Sequence, residues 1–69
     1  MERTPVSSSN IRSVGYDSDS SILEIEFNNG TVYQYANVPQ FEYDGLMSAA
    51  SHGSYFSANI KSRYAYSRV

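Results

Sequence analysis

The sequence contains no cysteine, no tryptophan, a single histidine, two prolines and four glycines in 69 residues. Without cysteine there is neither a disulfide framework nor thiolate zinc. His52 alone cannot build a histidine-rich metal site, so no metal is expected. The four glycines are isolated from one another, which excludes a phosphate loop, and nothing in the chain asks for a cofactor. No apolar run approaches the ~20 residues that cross a bilayer, so no membrane partner is expected. The opening Met1-Glu2-Arg3-Thr4-Pro5 lacks the apolar stretch of a signal peptide, which makes the cytoplasm the expected compartment. The length allows one small domain. It excludes a two-domain enzyme, a repeat array and a doubly wound nucleotide fold.

What the chain does have is tyrosine: seven of them, beside three phenylalanines. A core this small rarely supplies more than ~3–5 kcal/mol without staples. Disulfides and thiolate zinc being excluded, stability must come from aromatic burial or from self-association. Each ring can bury ~150–250 Å², so most of these rings are expected in the core, with a homodimer as the other route.

Residues 1–10 are polar and serine-rich, and read as a flexible N-terminal arm ahead of a single domain over 11–69. A first strand runs from Ile11 to Tyr16, with Val14 and Tyr16 on one face by the period of two. Asp17-Ser18-Asp19-Ser20 is a turn, because these side chains bond their own backbone. Ser21 to Phe27 is the clearest strand: Leu23, Ile25 and Phe27 alternate with Glu24 and Glu26, one face buried and one wet. Asn28-Asn29-Gly30 turns the chain into a third strand, Thr31 to Ala36. Two registers are open for that hairpin. A two-residue Asn29-Gly30 turn pairs Phe27 with Val32 and buries Gln34. A three-residue loop with Gly30 left-handed as a bulge pairs Phe27 with Thr31, Ile25 with Tyr33 and Leu23 with Tyr35. A one-residue slip flips the whole face, and only the second register avoids burying an amide without a partner. The bulged loop is therefore preferred.

Val38-Pro39 ends the sheet and starts a helix, since proline suits the first helical position. Tyr43, Leu46, Met47 and Ala50 form one buried stripe. Gly45 weakens that helix by roughly 1 kcal/mol relative to alanine, so packing must hold it. After the break at Ser51-His52-Gly53, Ser54 can cap a second helix running to about Tyr64, with Phe56 and Ile60 inward. Lys61 and Arg63 fall in its last turn, where cations suit the helix dipole. The expected architecture is α+β: a three-stranded antiparallel β-meander followed by two short α-helices packed on one sheet face. Its core should include Val14, Tyr16, Leu23, Ile25, Phe27, Tyr33, Tyr35, Leu46, Phe56 and Ile60.

Several of these residues carry a family resemblance. Val6-x-Ser8-Ser9-x-Ile11, Tyr33-Gln34-Tyr35, Val38-Pro39, Ser51-x-Gly53-x-Tyr55-Phe56, Ile60-Lys61-x-x-Tyr64 and Arg68 occur in the order and spacing of the KTSC domain family. The chain resembles that family over residues 6–68. The family is named for a C-terminal extension of some lysyl-tRNA synthetases, and it also occurs as short stand-alone bacterial proteins. The motif residues are Tyr33, Tyr35, Pro39, Gly53, Phe56 and Tyr64. Ser57 stands where many relatives have asparagine, and Lys61 where relatives often have arginine. The resemblance implies a binding module for which RNA, through the synthetase fusion, is the suspected ligand.

Charge sharpens that expectation. The net charge of −2 is unevenly spread: residues 1–44 hold all seven acids and two arginines, whereas 45–69 hold Lys61, Arg63 and Arg68 and no acid. Tyr55, Tyr64 and Tyr66 lie among those cations, and nucleic-acid binding needs cations for phosphates and rings for bases. Lys61, Arg63, Arg68, Tyr55 and Tyr66 are thus the candidate RNA-binding residues, with Tyr66 the ring most expected to be free. Against this stands an isoelectric point near 5.0, where nucleic-acid modules are typically above ~9. The alternative is a protein-interaction or homo-oligomerisation module, using the outer edge of the first or third strand and Ile22 and Val32 on the wet face. An enzyme is not expected. Ser51, His52 and Ser54 have no acid nearby in sequence to complete a triad. Asp17, Asp19 and Glu24 lack the spacing of a calcium loop.

Overall fold

The computed structural model describes residues 1–69. Strands β1 (Arg3–Pro5), β2 (Ile11–Asp17), β3 (Ile22–Phe27) and β4 (Val32–Tyr35) are followed by helices α1 (Gln40–Ser48) and α2 (His52–Asn59), then by β5 (Tyr66–Arg68). The strands form one antiparallel sheet in the order β1-β2-β3-β4-β5. The α+β class and the two helices on one face agree with the sequence. The three-stranded meander does not: the sheet has five strands. Both additions are three residues long. β1 comes from the segment assigned to the arm, and β5 from beyond the second helix. Neither Arg-Thr-Pro nor Tyr-Ser-Arg has enough length or alternation to announce a strand. They also occupy the outer sides of β2 and β4, so the two edges expected to be open are covered.

The β3–β4 register is the bulged one. Ile25 faces Tyr33 and Leu23 faces Tyr35, the Phe27 N–H donates to the Thr31 carbonyl at 2.9 Å, and Gly30 sits at φ +91°. Only a residue without Cβ adopts that conformation freely. The opposite choice would have put Gln34 in the core; instead its amide donates to Glu24 Oε1 at 2.8 Å on the other face.

The helix-facing core is built by Val14, Leu23, Ile25 and Tyr35 from the sheet, Leu46 from α1, and Phe56 and Ile60 from α2 and its end. Ile11 and Val38, absent from the expected core, are fully buried. Tyr16, Phe27 and Tyr33 are half-buried at its margin. In α1 the stripe is shifted: Leu46 is buried and Tyr43 and Met47 half-buried, but Ala50 lies past the helix end and is exposed, while Glu42 is buried. α2 is capped by Ser51, whose hydroxyl accepts the Ser54 N–H, and it ends at Asn59 rather than near Tyr64. The N–H groups of Ile60 and Lys61 both turn to the Phe56 carbonyl, closing the helix and freeing the chain to return as β5. Lys61 and Arg63 therefore lie in a turn and not in a helical last turn.

The opposite face of the sheet is polar and internally paired. Arg3 from β1 reaches Glu24 at 2.7 Å, Ser13 donates to Glu26 at 2.8 Å, and Arg12 lies 3.7 Å from Glu26. No helix is long and apolar enough to cross a membrane.

Candidate functional site

The five candidate residues do not form one patch. They divide between two places on either side of the segment that links α2 to β5.

The first is closed and centres on a residue the sequence reading missed. Glu42, in the first turn of α1, is only 2% exposed. Its Oε1 accepts the Tyr55 hydroxyl at 2.7 Å, its Oε2 accepts the Tyr64 hydroxyl at 2.9 Å, and Arg63 Nη1 lies 3.9 Å from Oε2. Burying a carboxylate is costly unless its lone pairs are used; here two hydroxyls from α2 and the following turn use them, and Arg63 adds a nearby opposite charge. The same contacts lift the two phenols. Hydrogen bonding to Glu42, then burial, raises the pKa of Tyr55; burial, then the Glu42 bond, raises that of Tyr64. Tyr55 also explains Gly45. A Cβ at position 45 would collide with the Tyr55 hydroxyl and come within 2.8 Å of its Cζ, so the helix-weakening glycine is what lets α2 pack against α1. Two of the five candidates, Tyr55 and Arg63, are thus occupied with a buried acid.

The second place is open. Five rings form a closed circuit on the helix-facing side of the sheet: Tyr66–Tyr33–Phe27–Phe56–Tyr35 and back to Tyr66, with centroids 5.5 to 5.8 Å apart. Four of the five contacts are edge-to-face, the arrangement the ring quadrupole favours. The circuit is core on one side and the wall of a cleft of about 420 Å³ on the other. Burial, followed by the neighbouring Tyr66 and Tyr33, pushes the Tyr35 pKa up to about 12. Tyr66 is 62% exposed, as the sequence suggested. Lys61 lines the cleft opposite the sheet, and Arg68 faces Tyr33 across the β4–β5 ladder, on the same side. Neither cation makes an ion pair, and no acidic residue lines the cleft. Lys61 and Tyr66 line the cleft, and the β5 pairing sets Arg68 beside Tyr33 at its margin.

The serines and histidine at the start of α2 are used locally. Ser51 donates its hydroxyl to Ser54 at 3.0 Å, and His52 Nδ1 lies 2.8 Å from the Leu46 carbonyl oxygen. The ring is directed at backbone and not at either hydroxyl. No group of three or more carboxylate, imidazole or thiolate side chains could hold a metal ion.

The profile of the KTSC domain family matches residues 7–64. An uncharacterised protein of Stutzerimonas stutzeri is 40% identical over 70 residues, spanning 100% of this chain and 99% of that protein. A lysine–tRNA ligase of Trichormus variabilis is 36% identical over 59 residues, which cover 86% of this chain but 10% of the ligase. Among solved structures, a KTSC domain protein from Yersinia pestis superposes with a TM-score of 0.94 at 43% identity, covering 99% of this chain and 96% of that one. Matched in sequence from before β2 to Tyr64 and in backbone over nearly its whole length, the chain belongs to the KTSC domain family.

Proposed function

We propose that the domain is a non-catalytic binding module that takes single-stranded RNA in the aromatic cleft. The observation that carries this reading is a cleft walled by five rings, bordered by the unpaired cations Lys61 and Arg68, with no carboxylate in its lining. Stacking on exposed rings is tolerant of sequence, and nearby cations attract the backbone. Lys61 and Arg68 then meet phosphates while Tyr66, with Tyr33 behind it, offers a stacking surface. Arg63 contributes to the field although its guanidinium leans toward Glu42. The lysine–tRNA ligase relatives support RNA as the ligand class by the company this domain keeps. With only two or three phosphates met and an overall charge of −2, binding is weak and its salt dependence shallow. A protein partner pairing with the sheet edge would have only the three-residue β1, interrupted by Pro5, or the three-residue β5, and short edges offer few backbone groups.

The test is a ¹H–¹⁵N NMR titration with a short oligouridine, repeated at about 50 and 200 mM salt. Shifts clustered at Tyr33, Lys61, Tyr66 and Arg68 that shrink with salt are expected. Their absence at the lower salt concentration, where phosphate attraction is least screened, would sink the reading.

A further inference from the structure

The cleft does not end at the rings. Its floor continues to Asn10, which also lines two neighbouring grooves, one along Ser51, Gly53 and Ser54 at the start of α2 and one along the Asn28-Asn29 turn. Asn10 is the only residue common to all three. It belongs to a segment that reads as a polar arm in the sequence, and hydrogen bonds link that segment to Asn28. Asn28 Nδ2 donates to the carbonyls of Ser8 and Ser9, at 3.3 and 3.0 Å, and the Asn28 N–H donates to the Asn10 carbonyl at 2.9 Å.

The side chain is held as well, and in one sense. The Ser8 hydroxyl oxygen accepts the N–H groups of Asn10 and Ile11 at 3.4 and 3.3 Å, so its own proton goes to Asn10 Oδ1 at 3.1 Å. That bond turns the amide oxygen toward Ser8 and leaves Nδ2, with two N–H donors, free of any protein hydrogen bond. The close approach of this amide to α2 depends on Gly53: a Cβ there would collide with Asn10 Oδ1 and lie 3.3 Å from Cγ. The family-motif glycine thus has a specific physical task, which is to let Asn10 lie against the first turn of α2.

We infer that Asn10 is a ligand-contacting residue of the cleft, donating its free amide N–H to an acceptor on the edge of the base stacked against the rings. This rests on the RNA reading above and adds to it the group that reads the base edge. A donor held in place before binding loses little freedom on forming its bond, and its loss removes one hydrogen bond.

The test measures affinity of the full chain for oligouridine and for an abasic oligonucleotide of the same length, in the unaltered protein and in Asn10→Ala and Gly53→Ala. The first variant deletes the donor; the second keeps it but pushes it aside. Both should bind oligouridine about threefold to tenfold more weakly and the abasic strand as the unaltered protein does. Unchanged oligouridine affinity in either variant, or an equal loss on the abasic strand, would overturn the role of Asn10 while leaving RNA binding standing. No binding by the unaltered chain would overturn both.

Discussion

Two clusters of tyrosine on this small domain have opposite characters. Around Glu42, the hydroxyls of Tyr55 and Tyr64 are spent on a buried carboxylate and Arg63 leans in behind them. Around the cleft, Tyr33, Tyr35 and Tyr66 are held ring against ring, and the cations beside them have no partner. Both clusters secure the same stretch of chain, the return from α2 to β5. One does so by satisfying every polar atom it buries, the other by apolar contact that leaves one side uncovered. The difference teaches that aromatic-plus-basic composition is not itself a binding signature. Of the five residues that suggested one, Tyr55 and Arg63 contact the buried acid, while Lys61, Tyr66 and Arg68 lie toward the open side through a strand of three residues.

The comparison can be broken most forcefully beneath both clusters. Ile25 is fully buried at the centre of the sheet, and Ile25→Ala should cost ~2–5 kcal/mol by transfer and cavity effects. Denaturant unfolding measures it, and an unchanged midpoint would refute this core. Next comes the closed cluster alone. Glu42→Gln keeps the shape but leaves one phenol without an acceptor and Arg63 without a charge partner. A loss of ~1–3 kcal/mol is expected, with NMR shifts spreading through 61–66. A variant as stable as the parent would show that Glu42 does not hold the turn.

High pH distinguishes the clusters from the rest of the molecule. The folded pKa values of Tyr35, Tyr55 and Tyr64 are all raised above the ordinary 10. The native state therefore holds these protons where the unfolded chain has released them. Their contribution to stability is fully present below pH 10 and is lost as pH rises from there toward about 12 for Tyr35. Melting temperature should be level through pH 9 and fall above 10. A melting temperature that held steady to pH 11.5, about one and a half units above the ordinary phenol value, would contradict the burial of these groups.

The smallest structural effect is expected at the open side. Tyr66→Ala should cost only about 1 kcal/mol of stability, the scale of a ring–ring contact, while weakening RNA binding by the ~1–3 kcal/mol of a stacked base. Lys61→Ala should mainly flatten the salt dependence, by about 0.7 in the logarithmic slope. If Tyr66→Ala instead unfolded the domain with RNA affinity unaltered in the folded fraction, the ring would be core and not surface.

Much of this was legible from local pattern. The alternation of Leu23, Ile25 and Phe27 located β3 and its buried face, and the objection to burying Gln34 selected the bulged turn at Gly30. Glu42 was not legible, because a lone glutamate in a first helical turn is ordinarily solvated. Its spacing of four from Leu46 was the one available sign that it shares the inward face. Asn10 was hidden inside a serine-rich run, and its importance depends on Asn28, eighteen positions later.

The residues by themselves determined the two helices, the three long strands and the register between β3 and β4, because those follow from periodicity and turn chemistry within a few neighbours. They also determined that the cations would lie in the C-terminal third. Tertiary structure alone decided that Arg3–Pro5 and Tyr66–Arg68 become strands, since a three-residue segment has too little pattern to specify pairing and must be recruited by an edge already formed. By placing β5 beside β4, that recruitment brings Tyr66 into the cleft that Lys61 also lines and sets Arg68 beside Tyr33, while Tyr55 and Arg63 meet a buried acid.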